Sequence, residues 1–204
     1  MVKEGIPFIV VPLFVALVFA IFQIWLVSLL LVLIAGFMAY FFRDPERKIP
    51  VDDNVIVSAA DGRVTRVEET EKGKIVSVFL SPLDVHINRS PIGGKIVKIV
   101  YEKGKKMPAT SNNASFLNER NSLLIENDKV SVTCTQIAGI LARRIVCWKR
   151  EGDFVEKGER FGLIKFGSRT DLIMPSSVQV RVKVGDRVKA GETIIAEIKQ
   201  DSKT

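Results

Sequence analysis

The chain has 204 residues and a net charge of +7, enough for one globular domain plus an appendage. The charge is unevenly placed: residues 1–42 hold one Lys and one Glu, so the whole excess belongs to residues 43–204. A nucleic-acid binder would show basic clusters interleaved with aromatics or a recognisable module, and neither is present, whereas a basic domain directly after an apolar segment suits an anionic membrane surface.

From Pro7 to Phe42 no residue is charged. One straight helix of that length would run about 54 Å against a hydrocarbon core of about 30 Å, so two helices are expected, near Pro7–Phe22 and Ile24–Phe42. A turn is expected near Gln23, Ile24 and Trp25, where an amide and an indole suit an interface; a shallow re-entrant hairpin is the alternative. The segment is too long for a cleaved signal peptide and lacks a small-residue cleavage site. Lys3 on one flank and Arg43, Arg47 and Lys48 on the other put both ends, and the following domain, on the cytoplasmic side of the cell membrane.

Pro45 ends the helix, and the remainder reads as short strands between turns. Val55–Ala60, Ile75–Leu80, Lys95–Tyr101, Leu123–Glu126, Lys129–Ala138 and Arg143–Trp148 are rich in β-branched residues and bounded by Asp, Gly, Asn or Pro. Lys103–Asn121 is expected to be a long loop of functional interest. Cys134 and Cys147 have no metal-ligand spacing, so no metal is expected, and they read as two buried thiols in a reducing compartment.

An internal repeat follows. Glu151-Gly152-Asp153-Phe154-Val155-Glu156-Lys157-Gly158-Glu159 recurs 33 residues later as Val184-Gly185-Asp186-Arg187-Val188-Lys189-Ala190-Gly191-Glu192. Each copy pairs a Gly-Asp turn with a Gly-Glu turn, and glycine supplies the positive φ such turns need. The pattern resembles the half-motifs of lipoyl- and biotinyl-type domains. It predicts a mainly β, barrel-sandwich fold behind the N-terminal transmembrane hairpin: residues 1–43 as anchor, 44–204 as the folded domain.

Between the repeats, where a carrier domain would show its modifiable lysine, stands Phe166-Gly167-Ser168-Arg169, inside a strand-like run from Phe161 to Ile173. A Gly-Ser bond held by a sheet suits an intramolecular acyl shift: Ser168 Oγ attacks the Gly167 carbonyl, and elimination then frees the upstream chain. Proximity of the two groups contributes roughly 7–11 kcal/mol in favourable cases. The step needs oxyanion donors and a base. His86 is the sole histidine, and with Asp61 it offers an Asp–His–Ser set in which Asp61 would orient the imidazole.

Phe41-Phe42-Arg43-Asp44-Pro45, Ala60-Asp61-Gly62, the run from Ser81 to Arg89, Asn118-Glu119-Arg120 and Phe166-Gly167-Ser168, in this order, resemble the phosphatidylserine decarboxylase family. The likeness covers nearly the whole chain from residue 41 and matches the short subclass. It implies a proenzyme that cuts itself at Gly167-Ser168 into a β chain (1–167) and an α chain (168–204) that stay associated. It implies a pyruvoyl group derived from Ser168, forming a Schiff base with the amine of an anionic serine phospholipid: phosphatidylserine or, for archaeal members, archaetidylserine. It ties Asp61 to a charge relay and His86 to decarboxylation. The family's longer members carry a second histidine where this chain has Arg89. Guanidinium cannot serve as a base; Arg89, with Asn88, is assigned instead to holding substrate carboxylate or phosphate. A homodimer is left open. The rival reading is a non-enzymatic, membrane-anchored β-sandwich adaptor, which explains the anchor and repeats but gives Asp61, His86 and Ser168 no role.

Overall fold

The computed structural model describes residues 1–71, 73–104, 117–139, 144–165 and 168–199, and the chain divides into two compact units, Met1–Glu46 and Arg47–Thr204. In the first, a short 3-10 turn (Lys3–Gly5) leads into α1 (Ile6–Ile21) and then α2 (Trp25–Phe41). Gln23 closes the turn between them at φ 60°, the left-handed region, with its N–H on the Ala20 carbonyl. The two helices pack together through small residues, with Ala16 and Ala35 both buried. Ser28 Oγ donates to the Ala16 carbonyl at 2.9 Å, satisfying the hydroxyl on an otherwise apolar helix. Elsewhere the helices expose their apolar side chains, including Phe14, Leu17, Trp25 and Leu26. Lys3–Ile21 is long and apolar enough to cross a membrane; α2 is also apolar but falls just short of that length.

Phe42 gives the Phe-Phe-Arg motif a structural role. Its ring stacks on Phe8 at 5.5 Å, and its Cβ lies where a Gly5 side chain would begin, 2.5 Å from an added Cβ. Any residue but glycine there would push the N-terminus off the end of α2.

The second unit is built from β1 (Val55–Val57), β2 (Gly62–Thr70), β3 (Gly73–Leu80), β4 (Ile87–Arg89), β5 (Gly94–Glu102), β6 (Arg120–Glu126), β7 (Ser131–Ala138), β8 (Arg144–Cys147), β9 (Phe154–Val155), β10 (Arg160–Lys165), β11 (Ser168–Met174), β12 (Gln179–Val180), β13 (Arg187–Val188) and β14 (Ile194–Glu197). Among the described residues strand outweighs helix two to one, 42% against 21%, so the mainly β expectation holds. One curled sheet runs β13-β2-β3-β11-β7-β6-β5-β9; two smaller sheets run β1-β14-β12 and β4-β10-β8. Alternate residues of the large sheet (Val76, Val78 and Leu80 on β3; Leu172 and Met174 on β11; Val132 and Cys134 on β7) form the core with Ile56, Phe161 and Ile195.

The domain is duplicated more deeply than the C-terminal repeat indicates. Gly62 pairs with Val188 and Arg63 with Arg187; thirty-two residues on, Gly94 pairs with Val155 and Lys95 with Phe154. Val64 N–H donates to the Asp186 carbonyl at 2.9 Å, and Ile96 N–H to Asp153 at 2.8 Å. Ser58 and Ser90 are likewise equivalent: each backbone carbonyl accepts from a repeat glycine (Gly191, Gly158) at 2.8 Å, and each hydroxyl donates two residues ahead at 2.7 Å. Even the register shifts match, between Val64 and Arg66 on β2 and between Ile96 and Lys98 on β5. The first half is therefore β1, β2, β13 and β14, the second β4, β5, β9 and β10. In the large sheet they occupy symmetric places, with β11 and β7 at the centre.

Candidate active site

Ser168 opens the central strand β11, in register with Leu80 of β3 on one side and Ala138 of β7 on the other. It is fully buried, and its Oγ has no hydrogen-bond partner among the described residues. Leaving a hydroxyl unpaired in a core costs about 1–3 kcal/mol, a state that Ser168 shares with Ser77 on β3. Gly167 and Phe166 lie outside the described residues. Their flanks are informative: Lys165 ends β10 in one sheet and Ser168 begins β11 in another. The expected single strand Phe161–Ile173 is thus two strands, and the chain changes sheet around the Gly-Ser bond.

The Ser81–His86 loop spans the same gap. It leaves β3 at Leu80, the register partner of Ser168, and enters β4 at Ile87, the partner of Leu163. Asp84 shapes it: one carboxylate oxygen accepts from Ser81 N–H at 2.8 Å and Ser81 Oγ at 2.6 Å, while Arg187 reaches the other oxygen at 3.4 Å. His86 is buried, its carbonyl accepting from Ile164 N–H at 3.2 Å. Its Nδ1 donates to the Asp84 carbonyl oxygen at 2.9 Å. A carbonyl only accepts, so Nδ1 carries the hydrogen and, in the neutral ring, Nε2 carries the lone pair.

Asp61 does not make the contact expected of it. Both its oxygens are held by Arg47 Nη2 at 2.9 Å, and one also accepts from Ala190 N–H at 2.8 Å. The described contacts orient the imidazole through the Asp84 carbonyl rather than through Asp61. The Arg47 side chain is 4% exposed and committed to that carboxylate.

Asn88 and Arg89 are likewise reassigned. Neighbouring strand residues face opposite sides. Arg89 reaches the Gly158 carbonyl at 3.0 Å and packs beside Gly191 in the repeat turns. Asn88 turns inward, donating to Thr170 Oγ1 at 3.0 Å and the Ala59 carbonyl at 3.3 Å and accepting from Gln136 Nε2 at 2.9 Å. Those partners engage both polar atoms of the Asn88 side chain. Gln136 in turn accepts from Asn121 Nδ2 at 3.0 Å. Asn118 is another residue sequence reasoning gave no role: its amide donates at 2.7 Å to the carbonyl of Ala138, the partner of Ser168. Its place in the Asn118-Glu119-Arg120 motif was the available signal; for Gln136 and Thr170 there was none.

Most of the Lys103–Asn121 stretch lies outside the described residues, apart from its ends and β6. A cavity of about 600 Å³, lined by Arg66, Ile75, Arg120, Thr135, Asp171 and Ile173, opens on the face of β11 opposite Ser168. Both cysteines are free; Cys134 is buried and Cys147 half-buried. Burial, reinforced by the nearby Asp171 charge, pushes the Cys134 thiol up, so it is no thiolate nucleophile.

The family model for phosphatidylserine decarboxylase matches residues 34–196. Three relatives carry the name phosphatidylserine decarboxylase proenzyme. One from Desulfotalea psychrophila is 40% identical, covering 96% of this chain and 95% of its own. One from Syntrophus aciditrophicus is 43% identical, with 94% of each covered, and one from Symbiobacterium thermophilum is 44% identical, covering 97% and 95%. With a family match over most of its length and relatives matched nearly end to end, the chain belongs to the phosphatidylserine decarboxylase family.

Proposed function

We propose that this chain is a membrane-anchored phospholipid decarboxylase proenzyme that cuts itself between Gly167 and Ser168, and that the carbonyl made from Ser168 is its catalytic group. Family membership supports the reaction type. The self-processing part is carried by one observation: a fully buried, unpaired serine hydroxyl on the first residue of a central strand, just where the chain leaves another sheet.

The chemistry uses the chain's own atoms. Ser168 Oγ, losing its proton to a base, adds to the Gly167 carbonyl carbon; the C–N bond breaks and an ester forms. Removal of the Ser168 Cα proton expels the Gly167 carboxylate as the Cβ–O bond breaks. The enamine left at residue 168 tautomerises, takes up water and releases ammonia, leaving a pyruvoyl terminus. An orphaned hydroxyl with no competing partner fits this route, because no hydrogen bond to a neighbouring side chain must be surrendered first. When present, the pyruvoyl carbonyl supplies an electron sink for the charge left as CO2 departs. His86, with Nδ1 tied to the Asp84 carbonyl, offers Nε2 to accept and return a proton. Asp61 serves through Arg47 and Ala190 by holding the turn it sits in.

Four strands of the segment after Ser168 (β11, β12, β13 and β14) remain in the fold after cutting; β11 is hydrogen-bonded to β3 and β7, β13 to β2 and β14 to β1. The two chains therefore stay associated. The apolar N-terminal helices, flanked by Lys3, Arg43 and Lys48, form a membrane anchor over residues 1–43, with the catalytic domain over 44–204 on the cytoplasmic side. The relatives' name makes phosphatidylserine the first substrate to test, with archaetidylserine the ether-linked alternative.

Purified protein mixed with phosphatidylserine vesicles should release CO2 and form the ethanolamine lipid, and Ser168→Ala should do neither. An unprocessed Ser168→Ala chain that still decarboxylates would sink the proposal.

A further inference from the structure

We propose that Asn88 is a positioning residue: its buried carboxamide pins the chain end created at Ser168, keeping β11 aligned with the segments that carry His86 and Asp61 once the bond is cut. This rests on the self-cleavage reading above.

Two contacts and its place on the chain put it at the centre of the site. Asn88 lies two residues after His86 on the chain; its Nδ2 donates to Thr170 Oγ1, two residues after Ser168, and to the carbonyl of Ala59, two residues before Asp61. One side chain thus joins the three segments bearing the candidate residues. It is itself held, Oδ1 accepting from Gln136, which accepts from Asn121, and all four side chains of the relay lie in residues no more than 3% exposed. Thr170 and Ser168 share a face of β11, so the pin acts on the side where the new end must stay.

The fold does not require this amide. The duplicated half places Ile56 at the equivalent position, fully buried and apolar. A buried polar relay where its twin uses an aliphatic side chain answers a demand peculiar to the second half. That demand is the cut: before it, β11 is tethered covalently at both ends, whereas afterwards its first residues form a chain terminus, and strand ends open at little free-energy cost. Misplacing a reacting group by about 1 Å can cost about a hundredfold in rate.

The test uses the full-length protein with Asn88→Ala, the near-isosteric Thr170→Val, and both together. Three readouts are needed: extent of cutting on a denaturing gel, carbonyl content by reaction with phenylhydrazine, and CO2 release per carbonyl. Cutting should go to completion in every variant, while turnover per carbonyl falls roughly tenfold or more in each single variant and little further in the double. Hydrogen exchange at residues 169–171 should quicken in the cut Thr170→Val protein. In an uncut Ser168→Ala background the same substitution should leave it protected, a difference that a purely structural hydrogen bond would not produce. Turnover per carbonyl within twofold of wild type, or failure of Thr170→Val to cut, overturns the proposal alone. A wild type that remains one chain overturns it together with the reading beneath it.

Discussion

The two halves of the duplicated β domain share their backbone bonds nearly residue for residue, yet only the second leads into Ser168. In the first half, Ile198 N–H donates to Asn54 and the described chain ends soon after; in the second, Ile164 N–H donates to His86 and the chain crosses to the central strand. Three side chains mark the difference: Asn54 against His86, Ile56 against Asn88, and Asp61 against Gly93. The first half supplies a carboxylate clamped by Arg47, and the second supplies imidazole and amide. The scaffold is general, and the side chains proposed to carry the chemistry are a few substitutions on one copy of it.

The largest effect should come from separating those copies by mutation. His86→Ala should lower CO2 release per carbonyl by about 10²–10⁴-fold, the usual worth of a positioned acid or base, while Asn54→Ala at the matching place changes it less than about twofold. Comparable losses from both would mean that the halves are not functionally distinct. Next, Asp61→Ala should destabilise the protein by about 3–5 kcal/mol in urea unfolding, because it strands the buried Arg47 guanidinium. A loss of rate at wild-type stability would instead favour a direct role for Asp61 in the relay.

Smaller and deliberately symmetric, Gly62→Ala and Gly94→Ala should each cost about 1–3 kcal/mol or more. An added Cβ would sit 2.0 Å from the Phe79 carbonyl oxygen in the first case and 2.3 Å from that of Glu126 in the second. Tolerance of one but not the other would break the equivalence of the halves. Last, Arg181→Ala removes an exposed pair with Glu197 at 2.5 Å and should leave Tm unchanged within error.

How much of this was legible beforehand differs by feature. The helices showed because a charge-free run of that length suits little besides apolar helices, and the C-terminal repeat showed because its Gly-Asp and Gly-Glu turns demand glycine. The companion repeat at Ser58–Val64 and Ser90–Ile96 did not. Its strands preserve hydrogen bonds that any residue can make, so little beyond the serine, the glycine and one basic residue coincides. β2 escaped for a related reason: Arg63, Arg66, Glu68 and Glu69 give it a charged, half-exposed look, and it is recognisable only once β3 and β13 flank it. Of the candidate residues, Ser168 and His86 stand out by motif and scarcity. The partners of Asp61, Asn88 and Arg89 could not, since Ala190, Thr170 and Gly158 lie far away in sequence. Pairing an Asp with a His by residue type alone overlooked Arg47, which competes for the same carboxylate.

The central claim is that Ser168 becomes a chain terminus, and intact mass of the purified wild type tests it most directly. Two species are expected, 1–167 and 168–204, with the smaller lighter by one ammonia than a chain beginning in ordinary serine and resistant to N-terminal sequencing. A single uncut chain of 204 residues, or a smaller species with an unmodified serine terminus, would contradict it.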